Sequence, residues 1–371
     1  MQNSNPSGTA KRLHFPGLNA IRAYAALSVL IVHVKQNFGE LRTQPANFPL
    51  LDRLVLDAHV AVDFFLVLSG FLITYLLLFE KEQNGKIDAR KFYIRRILRI
   101  WPLYYLIAAI GLFILPLIMG EEYVLTGFPI SKSVLVLVLL PNFVGSLGPL
   151  GHLWSIGLEQ QFYLLWPWVL KSSERFVRVC VGIILVKLAV APVISSFPEE
   201  SIQALFISLR FESLAVGALG AYAYFNNHRI LEYVYSPFVQ VAGFVGVILL
   251  AIFDVPLTYM NHLWISFLFI LFILNIAANP DQKIVLDNKF TDAIGRASYG
   301  IYMYHYPILY LTIIALNNSG VQEGNYYSFL LYSIEILLTV LVSMISYRVF
   351  ESRFLKMKDS YTIIRPDDKS T

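Results

Sequence analysis

The chain has a single cysteine, Cys180, in 371 residues. No intramolecular disulfide framework is possible, and cysteine usage says little about redox compartment. Charge is also scarce: Asp, Glu, Lys and Arg together make up 15% of the residues, against about 25% in ordinary soluble domains. There is no H-E-x-x-H and no compact Cys/His/Asp spacing, so no metal is expected. Walker A and dinucleotide-binding glycine motifs are missing too. No basic stripe falls on a soluble face, which argues against a nucleic-acid partner. Residues 1–16 are polar and lack a cleavable signal pattern, because the apolar stretch that follows carries Arg22 and His33.

What is abundant is apolar surface. Hydrophobic residues make up 57% of the chain and mean hydropathy is +0.60. Apolar stretches recur near 17–38, 59–79, 101–119, 152–170, 176–195, 204–225, 236–254, 258–277, 298–316 and 327–350. A helix of about twenty residues matches the hydrocarbon thickness of a bilayer. Soluble enzyme, disordered linker and disulfide scaffold are therefore excluded. The expected fold is an all-α, polytopic transmembrane helix bundle of about ten full spans. One further stretch, 133–147, is short and interrupted by Pro141, Asn142, Gly145 and Gly148. It reads as re-entrant, since broken backbone at membrane depth has to be satisfied by protein or a watery cavity.

No repeat or linker divides the chain, so 1–371 is read as one integral-membrane domain with a core at about 16–355. The polar ends, 1–14 and 359–371, are expected to be disordered. Lys81, Lys86, Arg90, Lys91, Arg95, Arg96 and Arg99 cluster between two spans. The positive-inside rule makes that loop cytoplasmic. The re-entrant model then places both termini inside, in a multi-pass protein of the cell (inner or plasma) membrane.

Ionisable residues within spans are costly and mark candidate function. Arg22 and His33 are eleven positions apart on the first span. At 100° per residue they share one stripe, separated by roughly 16–17 Å along the axis. An anion held at Arg22 could carry a flexible arm to a reactive end at His33, the side chain most easily poised as a base near neutral pH. The alternative for His33 is a ring that only hydrogen-bonds a neighbouring helix. Asp63, four residues after His59, either orients a base or acceptor or is a carboxylate favoured by a helix N-terminus. Ser69 and Gly70 read as a close helix-packing spot, with a serine nucleophile as the alternative, although no G-x-S-x-G elbow surrounds it.

Arg95, Arg96 and Arg99 anchor the helix on the positive side, with Trp101, Tyr104 and Tyr105 as an aromatic belt, or they grip phosphate. Glu159 lies about two turns into the span that opens at His152 and Trp154. There it either hydrogen-bonds His33, fixing its tautomer, or pairs with an intramembrane Arg such as Arg210. Arg210 and Glu212 mark a polar interior, although residues at i, i+2 do not face each other. Lys187 snorkels or pairs. Tyr302, Tyr304 and His305 are lesser candidates on one span; His305, in this Tyr-rich helix, lines a cavity or makes an interhelical hydrogen bond.

At these residues the sequence resembles the acyltransferase 3 family of integral-membrane acyltransferases. The resemblance runs through the R-x10-H of Arg22 and His33, FFLVLSGF at Phe64–Phe71, RRILRIWPLYY at Arg95–Tyr105, HLWSIGLEQQFYLLWP at His152–Pro167, SYGIYMYHYPIL at Ser298–Leu309 and SYRVFESRFL at Ser346–Leu355. Two departures stand out. A second Glu often follows the position of Glu159, and E-x-P-F is common where ESRF stands here; the first puts more weight on Glu159.

The resemblance implies transfer of an acyl group, usually acetyl from acetyl-CoA, to a hydroxyl of a carbohydrate or related acceptor. Some members carry a C-terminal hydrolase-like domain; this chain is expected to be of the stand-alone type. The expected catalytic residues are His33, Glu159 and Asp63. Arg22, Arg95, Arg96, Arg99 and Tyr105 are expected to bind the acyl-CoA donor, and Ser69, Trp154, Ser155, Arg210 and His305 to contact substrate. A covalent acyl-enzyme on His33, Ser69 or Ser155 stands as an alternative route. The rival class is a proton-coupled transporter of a polar solute or glycan, built from the same intramembrane charges.

Overall fold

The computed structural model describes residues 15–40, 54–120, 130–144, 148–253, 258–282, 284–322 and 324–361. Among them every regular element is helical. The membrane-length helices on which the site depends are α1 (Leu18–Glu40), α2 (Ala58–Asn84) and α3 (Ala89–Ala109, prolonged through a π turn to Met119). After a short α4 (Ile130–Leu137) come α5 (Leu153–Val169), α6 (Ser173–Ser195), α7 (Glu200–Ser208) and α8 (Phe211–Phe225). The rest comprises α9 (Ile230–Val234), α10 (Pro237–Ile252), α11 (Tyr259–Ile273), α12 (Lys289–Arg296), α13 (Ser298–Asn318), α14 (Asn325–Ser346) and α15 (Ser352–Asp359).

Seven helices among the described residues are long and apolar enough to cross a membrane, fewer than the ten apolar stretches suggest. The other three expected spans are helical, and each falls short for its own reason. α5 and α10 have 17 and 16 residues, below the roughly twenty that match the hydrocarbon core. α13 has 21 residues but carries Tyr299, Tyr302, Tyr304, His305 and Tyr306 along one half. The stretch read as re-entrant is broken as its Pro and Gly require: α4 ends at Leu137 and a 3-10 turn follows at Pro141–Phe143. Gly145, and the polar ends 1–14 and 362–371, lie outside the described residues.

Local sequence explains where the helices start. The Asp57 side chain accepts from His59 N at 2.7 Å to open α2, and Gly85, with φ at 69°, closes it in a left-handed turn. Asp88 accepts from Lys91 N at 3.0 Å. That cap starts α3 twelve residues before the apolar stretch at 101, so the basic run belongs to the helix and not to a loop.

The centre of the bundle is the crossing of α2 with α8. A Cβ added at Gly70 would collide with the Leu214 carbonyl oxygen, and one added at Gly217 would collide with that of Val67. Two backbones touch where the side chain is only hydrogen, the usual means of close helix approach in a bilayer. Nearby hydrogen bonds tie other helices in: Trp166 Nε1 donates to Thr74 Oγ1 at 2.8 Å and Ser266 Oγ to Ser213 Oγ at 2.8 Å. Large apolar side chains such as Leu185, Phe238 and Leu341 point outward, as lipid-facing positions should.

Gly70→Ala and Gly217→Ala are each expected to push α2 and α8 apart, at a cost of about 1–3 kcal/mol or more for overpacking. Thermal denaturation of detergent-solubilised protein checks this. Gly182→Ala, where an added methyl meets nothing within 4 Å, should leave the midpoint unchanged.

Candidate active site

Helices α1, α2, α3, α5, α13 and α15 enclose a cavity of about 320 Å³. One end is cationic: Arg22 enters from α1, Arg96 and Arg99 from α3, and Lys358 from α15. Residues 96 and 99 are three apart, so α3 presents both on one face. Neither Arg22 nor Arg99 makes a hydrogen bond or ion pair with any described residue, and Arg96 Nε is buried with no hydrogen-bond partner. The Arg96 guanidinium rests near the rings of Phe92 and Tyr163, 5.8 and 5.9 Å from their centroids. Among the described residues no group of three or more His, Cys, Asp and Glu is arranged to hold a metal.

Arg95 points elsewhere. Its guanidinium meets Glu80 at 2.6 Å and donates to the Tyr361 carbonyl at 3.0 Å. Tyr105 donates to the Leu137 carbonyl at 3.0 Å, holding α4 against α3. Both were expected to bind the donor; the structure places them outside the cavity lining, in contacts that hold the bundle together.

The middle of the cavity holds a hydroxyl–phenol–carboxylate chain. The Tyr163 hydroxyl donates to Glu159 Oε2 at 3.1 Å, one helical turn away on α5, and is itself hydrogen-bonded to Ser69. The geometry brings Glu159 to Ser69 and Tyr163. No hydrogen bond joins it to His33 or to Arg210 among the described residues.

Beyond this chain the wall is formed by Ser155 and Tyr302, whose hydroxyls lie 2.7 Å apart, with Tyr302 also donating to the His152 carbonyl at 2.7 Å. A cluster of rings backs that wall. His152 stacks on Tyr306 at 5.2 Å and meets His305 edge-on at 4.9 Å. His305 Nδ1 lies 2.6 Å from the Tyr302 carbonyl oxygen. A carbonyl only accepts, so Nδ1 carries the proton and Nε2 the lone pair. His33 Nδ1 lies 2.9 Å from that His305 Nε2. His33 therefore donates from Nδ1 and has its own lone pair on Nε2. His33 thus meets an imidazole at Nδ1, and no hydrogen bond joins it to Glu159 or Asp63 among the described residues.

Asp63 lies in a separate cluster. Its Oδ1 accepts from Arg210 at 3.0 Å and its Oδ2 meets His262 Nδ1 at 2.6 Å. Arg210 also donates to the His59 carbonyl at 3.0 Å and touches its Nδ1 at 3.1 Å. Glu212, as the i, i+2 spacing requires, turns away from Arg210 and meets Lys187 at 3.2 Å. Arg210 sits over the Trp154 ring, 5.0 Å from its centroid. These two residues, with His59 and Asn142, line a second cavity of about 670 Å³. Trp154 and Ser155 are consecutive, yet they face different cavities.

Tyr302 was already a candidate from sequence; Tyr163, His262, Tyr306 and Lys358 were not. The spacing of Glu159 and Tyr163, one turn apart, was a usable signal. So was His262 inside an expected span, by the same rule that singled out His33.

Comparison with known proteins adds three findings. A family model described as an acyltransferase domain matches residues 15–348. The chain is 28% identical over 387 residues to O-acetyltransferase OatA of Staphylococcus aureus strain MRSA252, covering 96% of this chain and 60% of that protein. It is 28% identical over 373 residues to OatA of strain NCTC 8325, and 26% identical over 379 residues to a putative O-acetyltransferase of strain COL; these cover 92% and 93% of this chain and 57% and 58% of those relatives. The chain thus spans less than two thirds of the relatives it matches. No solved structure matches.

Removing Asp63 leaves the Arg210 guanidinium charged and unbalanced in a low-dielectric interior. Asp63→Ala is expected to cost about 3–5 kcal/mol of stability, read as a lowered unfolding midpoint in detergent. Asp63→Ala with Arg210→Met should recover part of that loss, because the second change removes the stranded charge.

Proposed function

The chain belongs to the acyltransferase 3 family, and from that premise we propose that it is a membrane O-acyltransferase. It moves an acyl group, acetyl from acetyl-CoA, to a hydroxyl of a cell-surface carbohydrate or related acceptor. One observation carries this reading: guanidiniums without hydrogen-bond partners stand in a cavity whose wall, at Ser155 and Tyr302, packs against the His33–His305 pair just outside its lining. Arg22, Arg96 and Arg99 hold donor phosphate oxygens, for which planar guanidinium forks are suited. The pantetheine arm runs past Ser69, Glu159 and Tyr163 and carries the thioester towards Ser155 and Tyr302. At about 320 Å³ the cavity lies at the lower end of the range for small-molecule sites, roughly 300–1,000 Å³.

In the chemical step the acceptor O–H gives its proton to His33 Nε2 as its oxygen attacks the thioester carbonyl. The C–S bond breaks, and the departing thiolate takes the proton back from the imidazolium. His305 holds the His33 ring by accepting from Nδ1, so the basic nitrogen is fixed at Nε2. The acceptor approaches from the second cavity, where the Trp154 face suits a sugar ring and Arg210, held by Asp63 and His59, is a rigid donor. Transfer is direct in this scheme. Seen against the positive-inside rule, the donor end is cytoplasmic, because Arg22, Arg96, Arg99 and Lys358 gather there.

Vesicles given acetyl-CoA on the donor side should release free thiol. His33→Ala is expected to lower that rate about 10²–10⁴-fold, the usual worth of a general base, with donor binding retained. His305→Ala should lower it less, and Arg99→Ala should raise KM for the donor. Movement of a polar solute with no thioester consumed would assign the chain instead to proton-coupled transport.

A further inference from the structure

Beside the cationic end of the main cavity lies a smaller lobe of about 80 Å³, lined by Arg22, Arg99, Arg296, Tyr299, Tyr347 and Glu351 among others. Arg22, Arg99 and Tyr299 belong to both spaces. The lobe has room for a group of only a few heavy atoms, since a water molecule takes about 30 Å³ in the liquid. It brings three guanidiniums against one carboxylate. Glu351 does not neutralise them: no salt bridge joins it to Arg22, Arg99 or Arg296 among the described residues, and its Oε1 is 3.4 Å from Ser346 Oγ. A basic residue in the last turn of a helix, as Arg296 is in α12, is favoured by the dipole wherever it points. The dipole does not explain why it shares a lobe with two other guanidiniums. Arg296 stands exposed at the rim of the lobe and Arg22 and Arg99 are half-buried within it, so an anion entering from the rim would meet all three.

We infer that this lobe is a second phosphate subsite, and that Arg296 is its specific ligand. The main cavity then takes the diphosphate and pantetheine arm of the donor, while the lobe takes a phosphomonoester one ribose away. The ligand class is a 3′-phosphorylated adenosine diphosphate carrying a thiol arm. The Glu351 carboxylate, which only accepts, suits a ribose hydroxyl, and Arg22 and Arg99 bridge the two phosphate centres. Nothing in the sequence distinguished Arg296, which lies outside the span that carries Arg22 and outside the Arg95–Arg99 run. This inference rests on the donor reading above and asks more of it: recognition of the terminal phosphate and not only of the diphosphate.

The probes are CoA and 3′-dephospho-CoA, which differ only in that phosphate, bound to the full-length protein in lipid nanodiscs and followed by calorimetry. Wild type should bind CoA about tenfold or more tightly than 3′-dephospho-CoA, the ratio that one charge-assisted contact supports. Arg296→Ala should close that gap while leaving the affinity for 3′-dephospho-CoA unchanged, which also shows that the variant is folded. Arg296→Lys should keep part of the gap. A gap that survives in Arg296→Ala, or a wild type that binds both nucleotides equally, overturns the subsite while the donor reading stands. A wild type that binds neither nucleotide overturns both.

Discussion

A charge withdrawn from water into a bilayer has to be balanced, and the described part of this bundle treats its buried charges in two ways. Asp63 with Arg210 and His262, Glu80 with Arg95, and Glu212 with Lys187 are matched within about one hydrogen-bond or ion-pair length. Arg22, Arg96 and Arg99 are not. Paired groups have spent their interactions on each other, and removing one partner would strand the other. Unpaired guanidiniums facing a cavity retain their hydrogen-bonding capacity for a ligand. This difference, more than the identity of any residue, separates the scaffold from the site.

The scaffold in turn makes the site possible. The backbone contact of α2 with α8 at Gly70 and Gly217 brings Ser69 and the Asp63 cluster into a fixed relation. α5 then places Ser155 and Glu159 four residues apart, so that both face the main cavity, while Trp154 faces the other one. Tyr302, on α13, closes the wall with its hydroxyl and uses its carbonyl to set the proton on His305. One residue thus bounds the cavity and, through His305, decides which nitrogen of His33 is basic.

Much of this was legible in the sequence, and the residues that were not share a cause. Arg22 and His33 both fall on α1, as the first apolar stretch led one to expect, but Arg22 lines the main cavity and His33 does not. The broken stretch around Pro141 could be read from its Pro and Gly. Arg95 could not be told from Arg96, since only the position of Glu80, on a neighbouring helix, decides which guanidinium is already paired. Glu159 and Asp63 were expected beside His33 on membrane depth alone. Depth fixes level and leaves azimuth open, and each carboxylate faces a different neighbour at its level. Of the ten apolar stretches, seven become helices long and apolar enough to cross a membrane, while α5 and α10 are shorter and α13 is interrupted by polar rings.

The adjacency of Trp154 and Ser155 sets a demand on the wall between the two cavities. In the proposed reaction, a wall that let an alcohol oxygen meet a thioester would still have to refuse a water molecule, a smaller nucleophile present at far higher concentration. Tight closure by aromatic rings, rather than any feature of the bond-making step, would then determine how much donor is lost to hydrolysis when no sugar is bound. It would also determine how well the membrane stays sealed to protons through a protein that keeps an imidazole near its middle.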